Sequence, residues 1–599
     1  MVKLTIAEKL KHLRALMKER GLDYYIVPSR DQHNNEYVPR CWLHREWISG
    51  FTGSAGLALV GPDHAWLFTD SRYFIQAQDE LDQAYYDLVR QNGFTAQLET
   101  WFEEKSGPVR VGIDSFVVSP DEALSLSASL EAKGGALIAS DVSLIEAVRK
   151  KLGDLPDKPS TPVSVWPESC SGESVAQKLG RLRQYPGMSQ VDALLLTNLD
   201  EIAWLYNIRG ADVDFNPLVI SYAIVTKDEA LWFVEPSAVG QDVRSALESQ
   251  RGRICAYEDF KGHVRNLNGR IWLDGKSSSL WIRNLMQTET KVISSRSPVA
   301  LLKACKNKTE IGGMEAAHKK DAVAVISFLH WLENNWSSGV SELSLSDTLE
   351  GFRKKNPDYL GPSFTTISGF ESNGAICHYR VSAASSKVVD DSSLYLVDSG
   401  AQYQEGTTDI TRTVHLGTPT NEQKKHYTLV LKGHLSLGNA VFCKGAMGEH
   451  LDVLARMHLW KEGLNYGHGT GHGVGCYLCV HEGPQKISPA ATGVPLEAGM
   501  VVSNEPGLYL EGRYGIRIEN LCYVTPLAAE KNSETEGDSF YKFTDLTLVP
   551  YAKNLIDKDL LSSEEIRQID DYHRLVFETM KDLVDPGDRA WLESSCKPL

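Results

Sequence analysis

No apolar run in this chain approaches the length of a bilayer span, so neither a membrane-spanning helix nor a membrane partner is expected. The N-terminal residues lack the layout of a signal peptide. Thr5-x-x-Glu8 reads instead as a capping box, with Ile6, Leu10, Leu13 and Met17 on one face of the helix that follows. Cysteine is sparse and scattered, 10 in 599 residues, which excludes a disulfide frame and suits free thiols in a reducing, cytoplasmic setting. Positive charge is short: Lys and Arg number 62 against 78 Asp and Glu, a net charge of −16. Such a chain repels phosphate backbones, so nucleic acid is not expected as a partner. Phosphate loops are missing too. The glycines near His468 never complete G-x-G-x-x-G, because the third position falls on His472, Val474 or Cys476. Gly275-Lys276-Ser277 misses a P-loop because Gly269 lies one residue too far away.

What is present begins with length. At 599 residues, with 42% apolar residues, the chain exceeds one domain and can bury several cores. Asp154 to Pro167 carries Pro156, Pro159, Pro162 and Pro167 and reads as a linker. A softer break lies at Ser294-Ser295-Arg296-Ser297-Pro298. The expected organisation is residues 1–158, 159–305 and 306–550, then an extension, 551–599.

The first two blocks echo each other. Trp47-Ile48-Ser49-Gly50-Phe51-Thr52-Gly53 returns as Trp204-Leu205-Tyr206-Asn207-Ile208-Arg209-Gly210. Each copy follows an apolar strand (Tyr24 to Val27, Ala193 to Thr197) and precedes an apolar strand pair, so a duplicated α/β unit is the better reading. The third block opens with a helix from about Glu310 to Leu332. The tail returns to helix near Ser562, with Tyr572, Val576, Met580 and Leu583 in a stripe. That stripe suits packing on its own domain and a dimer contact equally well.

The third block also carries the chemistry. Leu394 to Val397 is a short apolar strand ending at Asp398, and a β-branched strand begins at Asp409. A hairpin centred near Tyr403 and Gln404 would set the two aspartates opposite each other, which is destabilising without a cation between them. Two solvated turn aspartates would explain that pair alone. The next segment decides otherwise: glycine occupies every odd position from 467 to 475, so in extended form His468, Thr470 and His472 share a face. Glu505 and Glu519 follow in apolar strands, where a bare carboxylate is costly. Arg517 alternates with Ile518 and is a poor strand partner for Glu519. One imidazole and four carboxylates suit Mn²⁺, with Co²⁺ or Fe²⁺ as alternatives and Zn²⁺ favoured by a set richer in Cys and His. Two such ions can hold a bridging hydroxide and stabilise an oxyanion. Cys476-x-x-Cys479 reads as packing within a strand rather than a zinc site.

These motifs resemble those of the pita-bread metallopeptidases, the family of methionine aminopeptidase, prolidase and aminopeptidase P. The matching stretches are Val397–Gly400, Gly406–Thr413, His468–Gly475, Val480–Pro484, Asn504–Gly507 and Gly515–Asn520. Asp212-Val213-Asp214-Phe215-Asn216-Pro217 and the overall length resemble the large, three-domain cytosolic type, aminopeptidase P. The resemblance implies an α/β and α+β chain, with two creatinase-like α/β domains followed by a pita-bread catalytic domain. It implies two divalent metal ions: Asp398 on one, His472 and Glu505 on the other, with Asp409 and Glu519 bridging. Glu505 would also handle the proton of the attacking water. His378 would lie on the leaving-group side, His468 and His481 would position substrate, and Arg517 would orient the site. The implied substrate is a peptide with proline at position two, cleaved at its N-terminal Xaa-Pro bond, and a homodimer is expected. Prolidase, which takes only dipeptides, is the nearest rival, and a metal-free binding module of the same fold is the non-enzymatic one.

Overall fold

A computed structural model describes residues 4–90, 94–104, 107–527 and 540–599. The chain forms two compact units: Met1–Glu168 with Glu173–Ala300, and Ser169–Gly172 with Leu301–Leu599.

The first unit contains two six-stranded sheets. One comprises β1 (Tyr24–Pro28), β2 (Leu57–Val60), β3 (Ala65–Thr69), β4 (Tyr86–Arg90), β5 (Arg110–Asp114) and β6 (Ala136–Ser140). The other comprises β7 (Ala193–Leu196), β8 (Ser221–Thr226), β9 (Ala230–Val234), β10 (Arg253–Ala256), β11 (Arg270–Leu273) and β12 (Lys291–Ser294). Their orders correspond strand for strand, β4-β3-β2-β1-β5-β6 and β10-β9-β8-β7-β11-β12. The directions correspond too. The central strand pairs antiparallel with a hairpin on one side and parallel with crossover strands on the other. Even the hairpins match in length, pairing Val60 with Ala65 and Val225 with Ala230. Two sheets of one uncommon mixed topology, each led by a Trp-bearing helix (His44–Ser49, Leu199–Leu205), bear out the duplication. Strands covered by helices on both faces read as continuous apolar runs, as in Ala193-Leu194-Leu195-Leu196. Backbone hydrogen bonds join the two halves, from Leu280 N–H to the Val118 carbonyl (2.8 Å) and from Trp281 N–H to Ser115 (3.0 Å).

The second unit opens with the helix Lys308–Asn335, started by an Asn307–Glu310 capping box. Two further helices, Asn421–Gly438 and Gly448–Trp460, pack against each other. The strands between and after them are antiparallel. Leu394–Ser399 is flanked by Ile367–Phe370 and Ile410–His415. Asn520–Pro526 lies between Val501–Asn504 and Phe540–Asp545. A hairpin, Gly507–Leu510 with Tyr514–Arg517, lies beside Leu394–Ser399. Helix residues Val325, Phe328, Leu329, Tyr427 and Val430 meet strand residues Tyr395, Val397 and Ile516, and Ile518 just beyond, in one core.

Arg412 is a hub of this unit. Its buried guanidinium donates to the carbonyls of Thr411, Glu519, Val549 and Pro550, to the Asn520 side chain and to the Tyr572 hydroxyl. Tyr572 belongs to the tail helix Ser563–Met580. The tail stripe packs on its own domain: Tyr572, Val576 and Met580 join its core, while Leu583 stays 50% exposed. The buried three are unavailable to a partner subunit, because the same apolar face cannot be covered twice. Met580→Ala should therefore cost the second unit about 2–5 kcal/mol in urea unfolding, and Leu583→Ala about 0.5 kcal/mol or less. Equal losses would contradict this packing.

Candidate metal centre

Two of the carboxylates arrive at paired strands, Asp398 within one and Asp409 just before the other, one register step from the expected position. The Leu394–Ser399 hairpin turns at Gln404 and Glu405, since Tyr403 pairs with Gly406, and Asp398 therefore faces Thr411. Asp409 sits diagonally, two residues from the position opposite Asp398. Diagonal neighbours share a face, so the carboxylates still meet. The single-residue shift arises because the turn residues are Gln404 and Glu405 rather than Tyr403 and Gln404, a choice that sequence alone left open.

The glycine-rich segment is less regular than a strand. Gly471–His472 pairs with Lys486–Ile487, and Gly473 bridges to Val502. The glycines serve close approach: a Cβ on Gly471 would lie 2.0 Å from the Ser503 carbonyl, and one on Gly473 2.0 Å from the Glu482 carbonyl. His472 reaches the carboxylates, its Nε2 lying 3.5 Å from both Asp409 Oδ2 and Glu505 Oε1. Its Nδ1 lies 3.0 Å from the Gly473 carbonyl. A proton held there leaves Nε2 as the lone-pair nitrogen. Thr470 does not share that face, because its hydroxyl donates to Asp452 on a neighbouring helix. Cys476 is buried as a packing residue, though in a turn rather than a strand, with its thiol 3.1 Å from the Glu405 carbonyl.

Glu519 is 1% exposed, Asp409 4% and Asp398 8%. Burial on this scale requires partners, and only some oxygens have them. Asp398 Oδ2 accepts from Arg517 at 2.5 Å, and Glu519 Oε2 from the Thr411 hydroxyl at 2.7 Å. Asp398 Oδ1, Asp409 Oδ1 and Glu519 Oε1 are buried without a hydrogen-bond donor. One ligand atom each from Asp409, His472 and Glu519 lie within 4.8 Å of one another. Burial first, and then the surrounding carboxylates, hold Asp409 and Glu519 well above the usual carboxylate range. Glu505 is pushed up to about 7, by burial first, with Asp409 and Asp398 adding to it and His472 and Arg517 opposing. Hard oxygen donors, an imidazole and excess negative charge fit divalent cations.

The remaining predicted residues divide. Arg517 joins the site by pairing with Asp398 rather than Glu519. His468 lies with Nδ1 3.9 Å from Glu505. The His481 ring is 4.4 Å from that of His472, edge-on, and its charge acts on Asp409. His378 is half-buried after the short turn Glu371–Ala375, and its neighbour Cys377 lies 4.0 Å from Arg517. Glu482, beside His481, is clamped between Lys303 (2.9 Å) and Lys306 (2.7 Å).

Sequence reasoning missed Tyr509 and Thr411. The Tyr509 hydroxyl bridges Arg517 Nη1 (2.6 Å) and His468 Nε2 (2.9 Å). Nothing in the sequence marks it. Thr411 was readable, since period two places it on the Asp409 face.

Comparison with known proteins follows the same division. Residues 312–526 match the model of metallopeptidase family M24, and 539–599 that of its C-terminal region. Residues 9–150 and 154–310 match two models of the creatinase/prolidase N-terminal domain. A probable Xaa-Pro aminopeptidase P of Fusarium vanettenii is 41% identical, covering 99% of each chain. One from Colletotrichum graminicola is 40% identical over all of both chains. This chain belongs to the aminopeptidase P group of the M24 metallopeptidases. Among solved structures, an X-prolyl aminopeptidase from Caenorhabditis elegans, described as a cytosolic enzyme with a di-nuclear active site, superposes with a TM-score of 0.94 at 33% identity, covering 100% of each chain. The architecture is thus two creatinase-type α/β domains and a pita-bread domain.

A carboxyl raised in the folded state favours folding when protonated, so its contribution is lost as pH rises through the folded value. With chelator present, the stability contributed by Glu505 should fall between its ordinary 4.5 and about 7. Mn²⁺ at a hundredfold excess over Kd should restore about 2.7 kcal/mol. Thermal melts at pH 5 and pH 8, with EDTA or Mn²⁺, check both. Melting that ignores both pH and Mn²⁺ would exclude a cation site here.

Proposed function

We propose that the protein is a cytosolic, metal-dependent aminopeptidase that hydrolyses the N-terminal Xaa-Pro bond of peptides. The observation that carries this is the set of buried carboxylate oxygens without donors beside His472, in a chain of this family. Asp398, Asp409, Glu519, His472 and Glu505 would hold two divalent cations, with Mn²⁺ favoured by the oxygen-rich donor set. When bound, such ions supply Lewis acidity and make water a nucleophile at neutral pH.

The protein's own groups do the rest. Glu505 takes the proton of the attacking water and returns it to the departing proline nitrogen, a task for a carboxylate with partial access to solvent. Arg517 fixes Asp398 in one orientation, and Tyr509 ties Arg517 to His468. His468 and His481 steady the substrate carbonyl, and His378 attends the leaving group. The Xaa-Pro amide has no N–H, so selection rests on a pocket for the ring rather than on strand pairing. Residues 306–550 carry this chemistry.

Hydrolysis of Arg-Pro-Pro and of Gly-Pro tests the assignment. Release of arginine from the tripeptide is expected, and cleavage of the dipeptide alone would make the enzyme a prolidase. Asp409→Asn should remove at least about 99% of turnover, equivalent to about 2.7 kcal/mol or more of transition-state stabilisation, with circular dichroism unchanged.

A further inference from the structure

The glycine-rich strap is poorly equipped to order itself. Five glycines alternate from Gly467 to Gly475, and glycine loses more backbone freedom on ordering than any other residue. Among the described residues, its strand pairing is confined to Gly471–His472 and the bridge at Gly473. Yet it carries His468, and its Thr470 carbonyl accepts the Glu505 N–H at 2.8 Å. Residues 467–470, which include His468, lie outside that pairing.

The helix Gly448–Trp460 supplies an external constraint. Asp452 and Arg456, one turn apart, are 3% and 2% exposed and paired at 2.6 Å. Three further hydrogen bonds of Arg456 go to the strap and its approach: Nη2 to the His468 carbonyl (2.7 Å), Nη1 to the Tyr466 carbonyl (2.8 Å) and to the Asn465 side chain (3.2 Å). The second Asp452 oxygen accepts the Thr470 hydroxyl at 2.6 Å. The guanidinium lies over the Tyr466 ring, 3.9 Å from its centroid. A buried ion pair adds little net stability over apolar packing. A planar fork with fixed donor directions does define where its acceptors sit.

We propose that Asp452 and Arg456 are positioning residues of the reaction. They hold His468 through its carbonyl, and Glu505 through that of Thr470, without touching substrate themselves. This rests on the aminopeptidase reading above. Arg456→Lys keeps the charge and loses the fork, so it separates direction from charge. Thr470→Val removes only the hydroxyl that meets Asp452 and Tyr466.

The test compares wild type, Arg456→Lys and Thr470→Val by amide hydrogen exchange with EDTA present and by steady-state kinetics with Mn²⁺ and Arg-Pro-Pro. Faster exchange confined to residues 466–475 is expected in both variants, with the Leu394–Ser399 strand as protected as in wild type. kcat should fall on the order of 100-fold in Arg456→Lys, and less in Thr470→Val, with KM little changed. Wild-type exchange and wild-type kcat in the folded variants would overturn the proposal, as would a rise in KM alone. If Arg456→Lys does not fold, Thr470→Val decides by the same criteria. A wild-type protein inactive on Xaa-Pro peptides would refute the aminopeptidase reading, and exchange in residues 466–475 would still decide whether the clamp holds the strap.

Discussion

Mutual repulsion among buried carboxylates is the constraint on which the catalytic unit depends. Asp398 in its strand, and Asp409, Glu505 and Glu519 at the ends of others, are driven together against their own charge. Arg517 answers part of that charge directly, through Asp398. Asp398 Oδ1, Asp409 Oδ1 and Glu519 Oε1 have no protein donor. The surrounding strands are tied by groups with full sets of partners, Arg412 above all. Its donors bind the strand of Asp409, the backbone of Glu519 and the C-terminal helix together. The tail is thereby part of the scaffold around the site.

A second theme concerns loops. Each of the three candidate histidines lies on a segment with little regular structure, and each segment is pinned by buried charge. Glu342, wholly buried, accepts from the Phe370 and Lys387 backbone and from Tyr379, bracketing His378. Glu482 between two lysines secures the turn beside His481. Asp452 and Arg456 secure the approach to His468. A loop held by side chains leaves its own backbone and imidazole free to face a ligand, which a β-ladder would not allow.

The first unit shows a different economy. Two copies of one mixed sheet are assembled with the same hairpin length and the same crossovers. Their apolar strands are covered on both faces, so the outward surfaces were free to diverge while the cores kept their pattern. That is why the repeat was legible as Trp and Gly landmarks and a strand order rather than as close sequence similarity.

Residue type and spacing were enough to single out Asp398, Asp409, His472, Glu505 and Glu519, because carboxylates in apolar strands and histidines between glycines are costly without a shared purpose. The apolar periodicities likewise revealed the duplicated unit and the tail helix. The register of the Asp398 strand, the ion pair of Arg517 with Asp398, the link from Tyr509 to His468 and the anchorage of the tail depended on the folded chain. Each joins residues far apart in sequence whose meeting is set by strand register and packing, and a shift of one residue at Gln404 and Glu405 is invisible in composition. Sequence determined which groups are expensive to bury; only tertiary structure decided which of them answer one another and which carry oxygens without a protein donor.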